Sequence, residues 1–379
     1  MSKKVLLLTF EMPPYITGGI GSVAYDTTKE FLELGYEVTV IGPKDSRDFD
    51  LKSKYRSISS KSNIVKFTQM LLKGLFEIYS TKYDYVYCLS GTYSGMVAYI
   101  LNKVSGIPYF IVAHGNEFIR FKNSKFFFTL IKRVYNNCLK VFAVSEFTKK
   151  KLIDFGLQAN HVYTCYNGVD LNRYYSLPES ERKEKRTTIG ITNTDLFIIL
   201  TVSRLDKRKG HINAIKAISE IENENILYLI AGTGQYTEAI QRTIDSYNLA
   251  SKVKMLGYIS DKELNSFYNI ADLFIMPNIY IEEEGNVEGF GLVFLEAGAT
   301  KLPSIGGNIG GSAEAIVDNT TGFIVDGQNI SAIKEKLQYC LNNRQELTKM
   351  GFNAYQRAQE FAWPNIINKI VKVINVCLK

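Results

Sequence analysis

The 379-residue sequence has few cysteines and no long apolar run. Its five cysteines show no CxxC pair or other metal-ligand spacing, so we expect no metal site and a reducing, cytoplasmic environment. No stretch reaches the roughly 18 uncharged apolar residues that a membrane-crossing helix needs. The apolar run that follows Lys4 stops at Glu11, which is strand length and too short for a secretory signal.

Standard nucleotide-binding signatures are also missing. Neither GxGxxG nor GxxxxGK[ST] follows the first predicted strand, which argues against a standard dinucleotide or P-loop site. The sequence contains no short repeat, no low-complexity tract and no recognised nucleic-acid reading motif, so nucleic acid is not a predicted partner.

Charge is unevenly distributed, although the net charge is only +7. Residues 1–165 hold 22 Lys and Arg against 13 Asp and Glu, whereas residues 166–379 hold 23 against 25. The excess in the first half indicates an anionic partner. The segment 119–133 mixes cations with three phenylalanines at 126–128, which is typical of a helix on an anionic membrane surface, although a core-facing stripe is an alternative.

Strand-length apolar runs alternate with helical patterns along the chain, which predicts α/β domains with parallel sheets. The length favours two domains. A polar, charged stretch without either period predicts a linker at 169–194, between an acceptor-binding domain at 1–168 and a nucleotide-sugar-binding domain at 195–362. The last helix, at 363–379, is expected to pack back on the first domain. Doubly wound, Rossmann-like domains bind ligands at the carboxyl ends of their strands, so we expect a site in a cleft that the two domains face.

Two motifs of the first domain follow predicted strands. Gly18 and Gly19 lie in the turn PPYITGGIG ahead of a helix, where backbone N–H groups can approach an anion; a simple tight turn is the alternative. His114 follows the strand PYFIVA and could bond a substrate hydroxyl, or a group within the fold.

The first strand of the second domain runs into SRLDKRKG at 203–210, which places four cations just ahead of a helix. Cations there oppose the helix dipole, so an anionic ligand is a natural reason for them; a solvated basic turn is the alternative. Arg204 could form a forked pair with a diphosphate, and Lys209 could act on it as a point charge.

The stretch EEEGNVEGFGLVFLEA at 282–297 predicts a helix that starts near Phe290. Glu296 lies in an apolar run, where a carboxylate needs hydrogen-bond donors such as ribose hydroxyls. Glu288 precedes the helix by about one turn and could reach a sugar. The backbone N–H groups that could meet a diphosphate belong to Gly289, Phe290, Gly291 and Leu292.

In combination, these motifs resemble the retaining glycosyltransferases of family 4, which have the GT-B fold. The shared set comprises PPYITGGIG, the pair His114-Gly115, NGVD at 167–170, SRLDKRKG, and Glu288 with Glu296. The loop EEEGNVEGFG is similar to that of phosphatidylinositol mannosyltransferases and related bacterial surface-glycan enzymes. The resemblance covers nearly the whole chain.

The resemblance implies a role for each matching residue. Arg204 and Lys209 match the diphosphate-binding pair, and Glu296 matches the ribose-binding glutamate. Glu288 and His114 match residues that contact the transferred sugar. The remaining donor contacts are the loop at Gly18 and Gly19, and the backbone at Gly257 and Tyr258, which is expected to meet the base.

The implied reaction is a metal-independent, cofactor-independent transfer of a hexose from a nucleotide diphosphate sugar, with GDP-mannose favoured and UDP-sugars left open. The implied acceptor is a glycan or a lipid-linked saccharide in cell-surface polysaccharide or glycolipid synthesis, at the inner face of the membrane. A GT-B nucleotide-sugar epimerase and a non-catalytic partner subunit are alternatives. The presence of Arg204, Lys209, Glu288 and Glu296 argues against the second of these.

Overall fold

The computed structural model describes residues 2–13, 19–43, 51–115, 124–281 and 288–379. Contacts within the chain divide it into two compact units. One unit consists of Met1–Gly168 together with Trp363–Lys379, and the other of Val169–Ala362. No helix in these ranges is long and apolar enough to cross a membrane.

The first unit is built on one parallel sheet. Its strands are β1 (Lys4–Leu8), β2 (Glu37–Pro43), β3 (Lys54–Ile58), β4 (Tyr85–Cys88), β5 (Tyr109–Ala113), β6 (Lys140–Ala143) and β7 (Val162–Thr164). Its helices are α1 (Gly19–Glu33), α2 (Asn63–Ser80), α3 (Tyr93–Ser105), α4 (Lys125–Asn137), α5 (Glu146–Asp154) and, from the chain end, α14 (Trp363–Cys377). The strand order is β3-β2-β1-β4-β5-β6-β7. Helix α3 packs against both α2 and α4, whereas α14 packs against α1.

Most of these strands are continuous apolar runs because a parallel sheet is covered on both faces. Every residue of β4 and of β5 is buried. Strand β3 differs, because in its sequence KYRSI only Ile58 is fully buried. The sequence predicts no strand here, since an edge strand that is half exposed needs no apolar run.

The second unit also contains one parallel sheet. Its strands are β8 (Phe197–Val202), β9 (Ile226–Ala231), β10 (Val253–Gly257), β11 (Leu273–Met276), β12 (Ser304–Gly307) and β13 (Gly322–Val325). Its helices are α6 (Glu179–Thr188), α7 (His211–Ser219), α8 (Thr237–Ser246), α9 (Asp261–Ile270), α10 (Leu292–Ala299), α11 (Ser312–Ala315), α12 (Ile330–Asn342) and α13 (Arg344–Glu360). The strand order is β10-β9-β8-β11-β12-β13.

Both sheets follow the doubly wound order, so the predicted α/β class with two Rossmann-like domains is confirmed. In each sheet the chain reverses its direction of winding next to the first strand, between β1 and β4 in the first unit and between β8 and β11 in the second. Loops that leave neighbouring strands diverge at such a switch point and leave a crevice at the carboxyl edge. This edge is therefore where a ligand site is expected in each unit.

The stretch at 169–194, where the sequence predicts a linker, lies within the second unit and contains α6. Helix α6 has no buried residue, and it packs on α9 through arginines. Arg182 donates to the carbonyl of Asn269 at 2.6 Å, and Arg186 donates to the carbonyl of Ile270 at 2.8 Å. Such docking leaves no apolar period in the sequence, which is why the helix reads there as a solvated charge run.

We expect Arg186→Ala to lower the free energy of unfolding of the second unit by about 1–3 kcal/mol. The guanidinium also donates to Asp272 at 2.8 Å, and that carboxylate accepts the backbone N–H of Ile198 in β8 at 2.8 Å. Urea denaturation would measure the change. Lys183→Ala is the matched control, because its side chain is 68% exposed on the same helix. Equal, negligible effects of both substitutions would show that this stretch behaves as a linker after all.

Candidate active site

The loops at the carboxyl edge of the second sheet carry most of the predicted donor-binding residues. Arg204 and Lys209 lie between β8 and α7, Gly257 ends β10, and Glu288 lies between β11 and α10. Parallel strands end at one edge of a sheet, so these loops are neighbours. Backbone bonds join them, because the N–H of Gly232 donates to the carbonyl of Gly257 at 2.7 Å and that of Ile279 to the carbonyl of Arg208 at 2.9 Å.

Two glycines allow the backbones at this edge to approach closely. Gly210 has a positive φ of 76°, and a Cβ there would lie 2.0 Å from the carbonyl oxygen of Pro277. Gly310, with a φ of 77°, would place a Cβ 2.3 Å from the carbonyl oxygen of Glu288. A side chain at either position would push the loops apart. Gly210 therefore lets the basic loop approach the end of β11, and Gly310 lets the loop after β12 approach the backbone of Glu288.

Five charged side chains meet at this contact. The Nζ of Lys209 lies 2.5 Å from Oε2 of Glu288, and Nη1 of Arg208 donates to the same oxygen at 2.8 Å. Asp206 completes the cluster, since its carboxylate pairs with Nη2 of Arg204 at 3.2 Å and with Nε of Arg208 at 3.4 Å. We call these five residues the ion cluster.

The ion cluster explains how the chain tolerates cations ahead of α7. Three of the four cations in SRLDKRKG are paired with carboxylates of the same unit, and only Lys207 is simply exposed. The alternative of a solvated basic turn is therefore wrong for Lys209, whose side chain is only 9% exposed, and for Arg208 at 15%. Three cations against two carboxylates leave one net positive charge.

Opposite charges within the ion cluster favour the charged forms of their partners. Burial alone would raise the pKa of Glu288, but Lys209 and Arg208 outweigh it and hold that pKa at about 2. Burial lowers the pKa of Lys209, an effect that the nearby Glu288 carboxylate opposes. Glu288 is thus a carboxylate at neutral pH, held in place by two cations.

His211 is the first residue of α7 and contacts the start of the basic loop through Ser203. Its side chain is 1% exposed, and its Nε2 lies 3.1 Å from the hydroxyl oxygen of Ser203. Burial, with a smaller contribution from Lys209, lowers the pKa of His211 to about 3, so the imidazole is neutral at physiological pH. A neutral ring adds no further positive charge beside Lys209.

Glu296 lies on α10 and is held by a tyrosine. The hydroxyl of Tyr268, a fully buried residue of α9, donates to Oε2 of Glu296 at 2.7 Å. Burial raises the pKa of Glu296, and burial also raises that of Tyr268, which therefore stays a donor. The sequence indicates that Glu296 needs hydrogen-bond donors, but it gives no sign of Tyr268, which lies 28 residues away.

The other predicted donor contacts lie at the end of β10 and at the start of α10. Tyr258 is 75% exposed next to Gly257 at the end of β10. Helix α10 begins at Leu292, two residues later than the sequence predicts, after Gly291 in the left-handed conformation. Phe290 is buried against Phe361, with ring centroids 5.8 Å apart. The first N–H groups of an α-helix have no acceptor within it, so those of Leu292 and Val293 can meet an anion, whereas the N–H of Phe294 donates to the carbonyl of Gly291 at 3.1 Å. The acidic run at 282–287 lies outside the described residues.

Two predicted site residues of the first unit are described. Gly19 is the exposed first residue of α1, while Gly18 lies outside the described residues. His114 follows β5, is half-buried, and its Nε2 lies 3.0 Å from the carbonyl oxygen of Leu89. That bond is the one expected for a histidine held within the fold, so a role for His114 in sugar binding stays a prediction.

Within the described ranges, no group of three or more His, Cys, Asp or Glu side chains is arranged to hold a metal ion. The metal-independent and cofactor-independent chemistry stays a prediction.

Two family models match the chain, one in each unit. The model described as Glycosyltransferase Family 4 matches residues 17–173, and the model described as Glycosyl transferases group 1 matches residues 182–357. Between them they cover both the N-terminal glycine-rich turn and the ion cluster.

Relatives and solved structures agree with these matches. A GDP-mannose-dependent alpha-(1-6)-phosphatidylinositol monomannoside mannosyltransferase of Mycobacterium tuberculosis is 30% identical over 227 residues, which is 59% of this chain and 58% of that protein's length. A GDP-mannose-dependent monoacylated alpha-(1-6)-phosphatidylinositol monomannoside mannosyltransferase of Corynebacterium glutamicum is 23% identical over 382 residues, 98% of each chain. HepE of Anabaena, solved with UDP and glucose, has a TM-score of 0.82 at 19% identity over 99% of this chain and 100% of that chain. The shared architecture confirms the predicted GT-B fold.

We expect the stability that Glu288 contributes to disappear in acid. Its pKa of about 2 lies below the ordinary value of 4.5, so the contribution is complete above pH 4.5 and is lost as the pH falls through 2. Between pH 5 and pH 3 the wild-type chain should therefore lose about 1–2 kcal/mol of unfolding free energy that Glu288→Gln does not lose.

Urea midpoints at several pH values would measure this difference. Glu335→Gln, at a side chain that is 75% exposed, is the matched control and should keep the wild-type slope. A Glu288→Gln variant with an unchanged pH slope would contradict the ion cluster.

Proposed function

Because this chain belongs to the glycosyltransferases of family 4, we propose that it transfers a hexose from a nucleotide diphosphate donor to a glycan or lipid-linked acceptor. The observation that carries the proposal is the ion cluster, which places three cations at the switch point of the second sheet, beside the segment that leads into α10. A net positive cluster at this edge suits a diphosphate.

Arg204 and Lys209 are the proposed diphosphate ligands. The side chain of Arg204 is 58% exposed and can turn from Asp206 to a phosphate as a planar fork. Lys209 is less accessible, so its ammonium reaches a phosphate oxygen only by giving up part of its bond to Glu288. The donor thus competes with the carboxylate of Glu288 for Lys209.

Glu296 is the proposed ligand of the ribose hydroxyls. Burial raises its pKa, so hydroxyl donors from a ligand would stabilise the charged form. Tyr268 donates to Oε2 of Glu296, and Tyr174 also bonds to this carboxylate, so a ribose would use the acceptor positions that these two hydroxyls leave. The exposed ring of Tyr258, with the backbone of Gly257, is the proposed contact of the base.

The proposed transfer retains the anomeric configuration and needs no metal. The bond from the anomeric carbon to the leaving phosphate oxygen breaks, and an oxocarbenium-like state develops while Arg204, Lys209 and the N–H groups of α10 stabilise the diphosphate. The acceptor hydroxyl attacks from the same face, and its proton passes to a leaving phosphate oxygen. Glu288 and His114 are the proposed contacts of the sugar.

The donor we favour is GDP-mannose, because the mannosyltransferases of Mycobacterium tuberculosis and Corynebacterium glutamicum are described as GDP-mannose-dependent. HepE of Anabaena was solved with UDP, which leaves UDP-sugars as the competing donors. Those mannosyltransferases act on phosphatidylinositol mannosides, which favours a lipid-linked acceptor in surface glycolipid or polysaccharide synthesis.

We also propose that the first unit attaches to the anionic inner face of a membrane. On α4, Phe126 and Phe127 are 73% and 42% exposed, so a core-facing role holds only for Phe128, whose ring packs on Phe155. Helix α4 carries three cations, at 125, 132 and 133, and no acidic residue. Exposed aromatics flanked by cations suit an anionic bilayer surface.

Helix α2, which packs on α3 as α4 does, also carries exposed apolar side chains. Its exposed apolar side chains are Ile64, Val65, Leu72, Phe76 and Tyr79. The single acidic residue of α2, Glu77, is fully buried and bonded to Lys54 and Arg56, so it offers no negative charge to the outside. An apolar face without exposed acids adds to the support for a lipid surface rather than a basic partner.

We expect a thermal-shift panel to identify the donor class, because a ligand that binds the folded chain raises its melting temperature. Lys209→Met and Glu296→Gln should each weaken binding of the stabilising nucleotide sugar about ten- to a hundredfold, as expected for a lost charge-assisted hydrogen bond. Calorimetric titration would measure the dissociation constants.

Lys207→Met is the matched control for this experiment, because Lys207 is an exposed cation of the same loop. It should bind the donor like the wild type. If neither GDP- nor UDP-sugars raise the melting temperature, the proposal is wrong, and conversion of a donor without any acceptor would indicate an epimerase instead.

We expect the chain to sediment with vesicles that contain phosphatidylglycerol and not with pure phosphatidylcholine vesicles, and to dissociate as salt is raised. A double variant, Phe126→Ser with Phe127→Ser, should bind these vesicles several-fold more weakly. Phe352→Ser, at a 51% exposed residue of α13, is the control and should bind normally. Binding without lipid preference or salt dependence would exclude the membrane proposal.

A further inference from the structure

Arg208 lies between two lysines that differ in solvent exposure, since Lys207 is exposed and Lys209 is buried. The family resemblance gives roles to Arg204 and Lys209 but none to Arg208. Its side chain is nevertheless only 15% exposed, compared with 58% for Arg204. Burying a guanidinium is costly unless its donors are used, so Arg208 requires an explanation of its own.

The donors of Arg208 face two carboxylates. Nη1 donates to Oε2 of Glu288 at 2.8 Å, and Nε lies 3.4 Å from Oδ1 of Asp206. Its own carbonyl accepts the N–H of Ile279 at 2.9 Å, which fixes its backbone beside the end of β11. On the other side, the carbonyl of Glu288 accepts the N–H of Gly311 at 2.8 Å. Both ends of the Arg208–Glu288 pair are therefore anchored to the backbone of the sheet edge.

Lys209 and Arg208 share one oxygen of Glu288, but they are not equivalent toward a donor. A diphosphate that draws Lys209 away removes one of the two cations from Glu288. Without a second cation, a carboxylate that is only 17% exposed would take up a proton or leave its place. Arg208, held in addition by Asp206, can stay behind.

We propose that Arg208 is a positioning residue of the transfer reaction, which holds Glu288 in place as a carboxylate when the donor diphosphate takes Lys209. This inference rests on the proposed function. Arg208 need not touch the donor, because it acts through Glu288. Among the residues that the structure describes, the charged groups that face Glu288 are Arg208 and Lys209 from the loop after β8, with Asp206 behind them.

The test compares Arg208→Met and Arg208→Lys with Lys207→Met, in the full chain, by nucleotide binding and by sugar transfer. The probes are GDP and UDP for binding and the donor sugar found in the thermal-shift panel for turnover. Arg208→Met should bind the nucleotide within about threefold of the wild type, yet lower kcat about ten- to a hundredfold. The acid limb of its kcat profile should move to higher pH, because Glu288 loses a cation, and Arg208→Lys should restore part of both. Lys207→Met should change neither.

A double-mutant cycle separates positioning from direct contact. In the Glu288→Gln background, Arg208→Met should change kcat by less than about twofold, since its effect passes through the missing carboxylate. Equal losses of nucleotide affinity and kcat would make Arg208 a diphosphate ligand and overturn the inference, as would an unshifted pH profile.

If Arg208→Met does not fold, Arg208→Lys carries the same comparison. A wild-type chain that binds neither nucleotide would refute the proposed function itself, whereas an active wild type with unaffected Arg208 variants refutes only the inference.

Discussion

The second sheet brings its cations and carboxylates together at one edge, and the ion cluster depends on this constraint. Burying Lys209 and Arg208 ahead of α7 is unfavourable both for desolvation and for the helix dipole, and Glu288 with Asp206 offsets it. The pairing of β11 with β8 brings the two segments to the same sheet edge, and Gly310 leaves room for the carbonyl of Glu288. Segments 79 residues apart in the sequence are thereby joined.

The two carboxylates of the ion cluster neutralise two of its three cations, and an anionic ligand could take the place of a carboxylate. Under the proposed function, the carboxylate of Glu288 occupies the cation that the diphosphate would take, so donor binding would exchange one anion for another instead of removing water from an unpaired lysine. The proposed function would link stability to donor binding at this point, because the pairs that support the folded loop are the pairs that the donor would partly replace.

The two units use their charges differently. Residues 166–379 hold nearly equal numbers of cations and carboxylates, and five of the charged side chains of the second unit form the ion cluster. In the first unit the cations of α4 have no acidic neighbour on the helix, and the carboxylate of α2 is turned inward. The excess of cations in the first half of the sequence is thus not offset by acidic residues on α4 or by an exposed one on α2.

Local patterns in the sequence were enough to predict the α/β class, the alternation of elements and the positions of the basic loop and of both glutamates, because continuous apolar runs and helical periods are local properties of the chain. It could not reveal β3 or α6, since a half-exposed edge strand and a helix docked by Arg182 and Arg186 have no apolar period. It also could not show that Glu288 bonds to Lys209 and Arg208, or that Tyr268 holds Glu296. These pairs join residues that are far apart in the sequence. Which of them come together depends on the order of the strands in the sheet, and that order is a property of the tertiary structure.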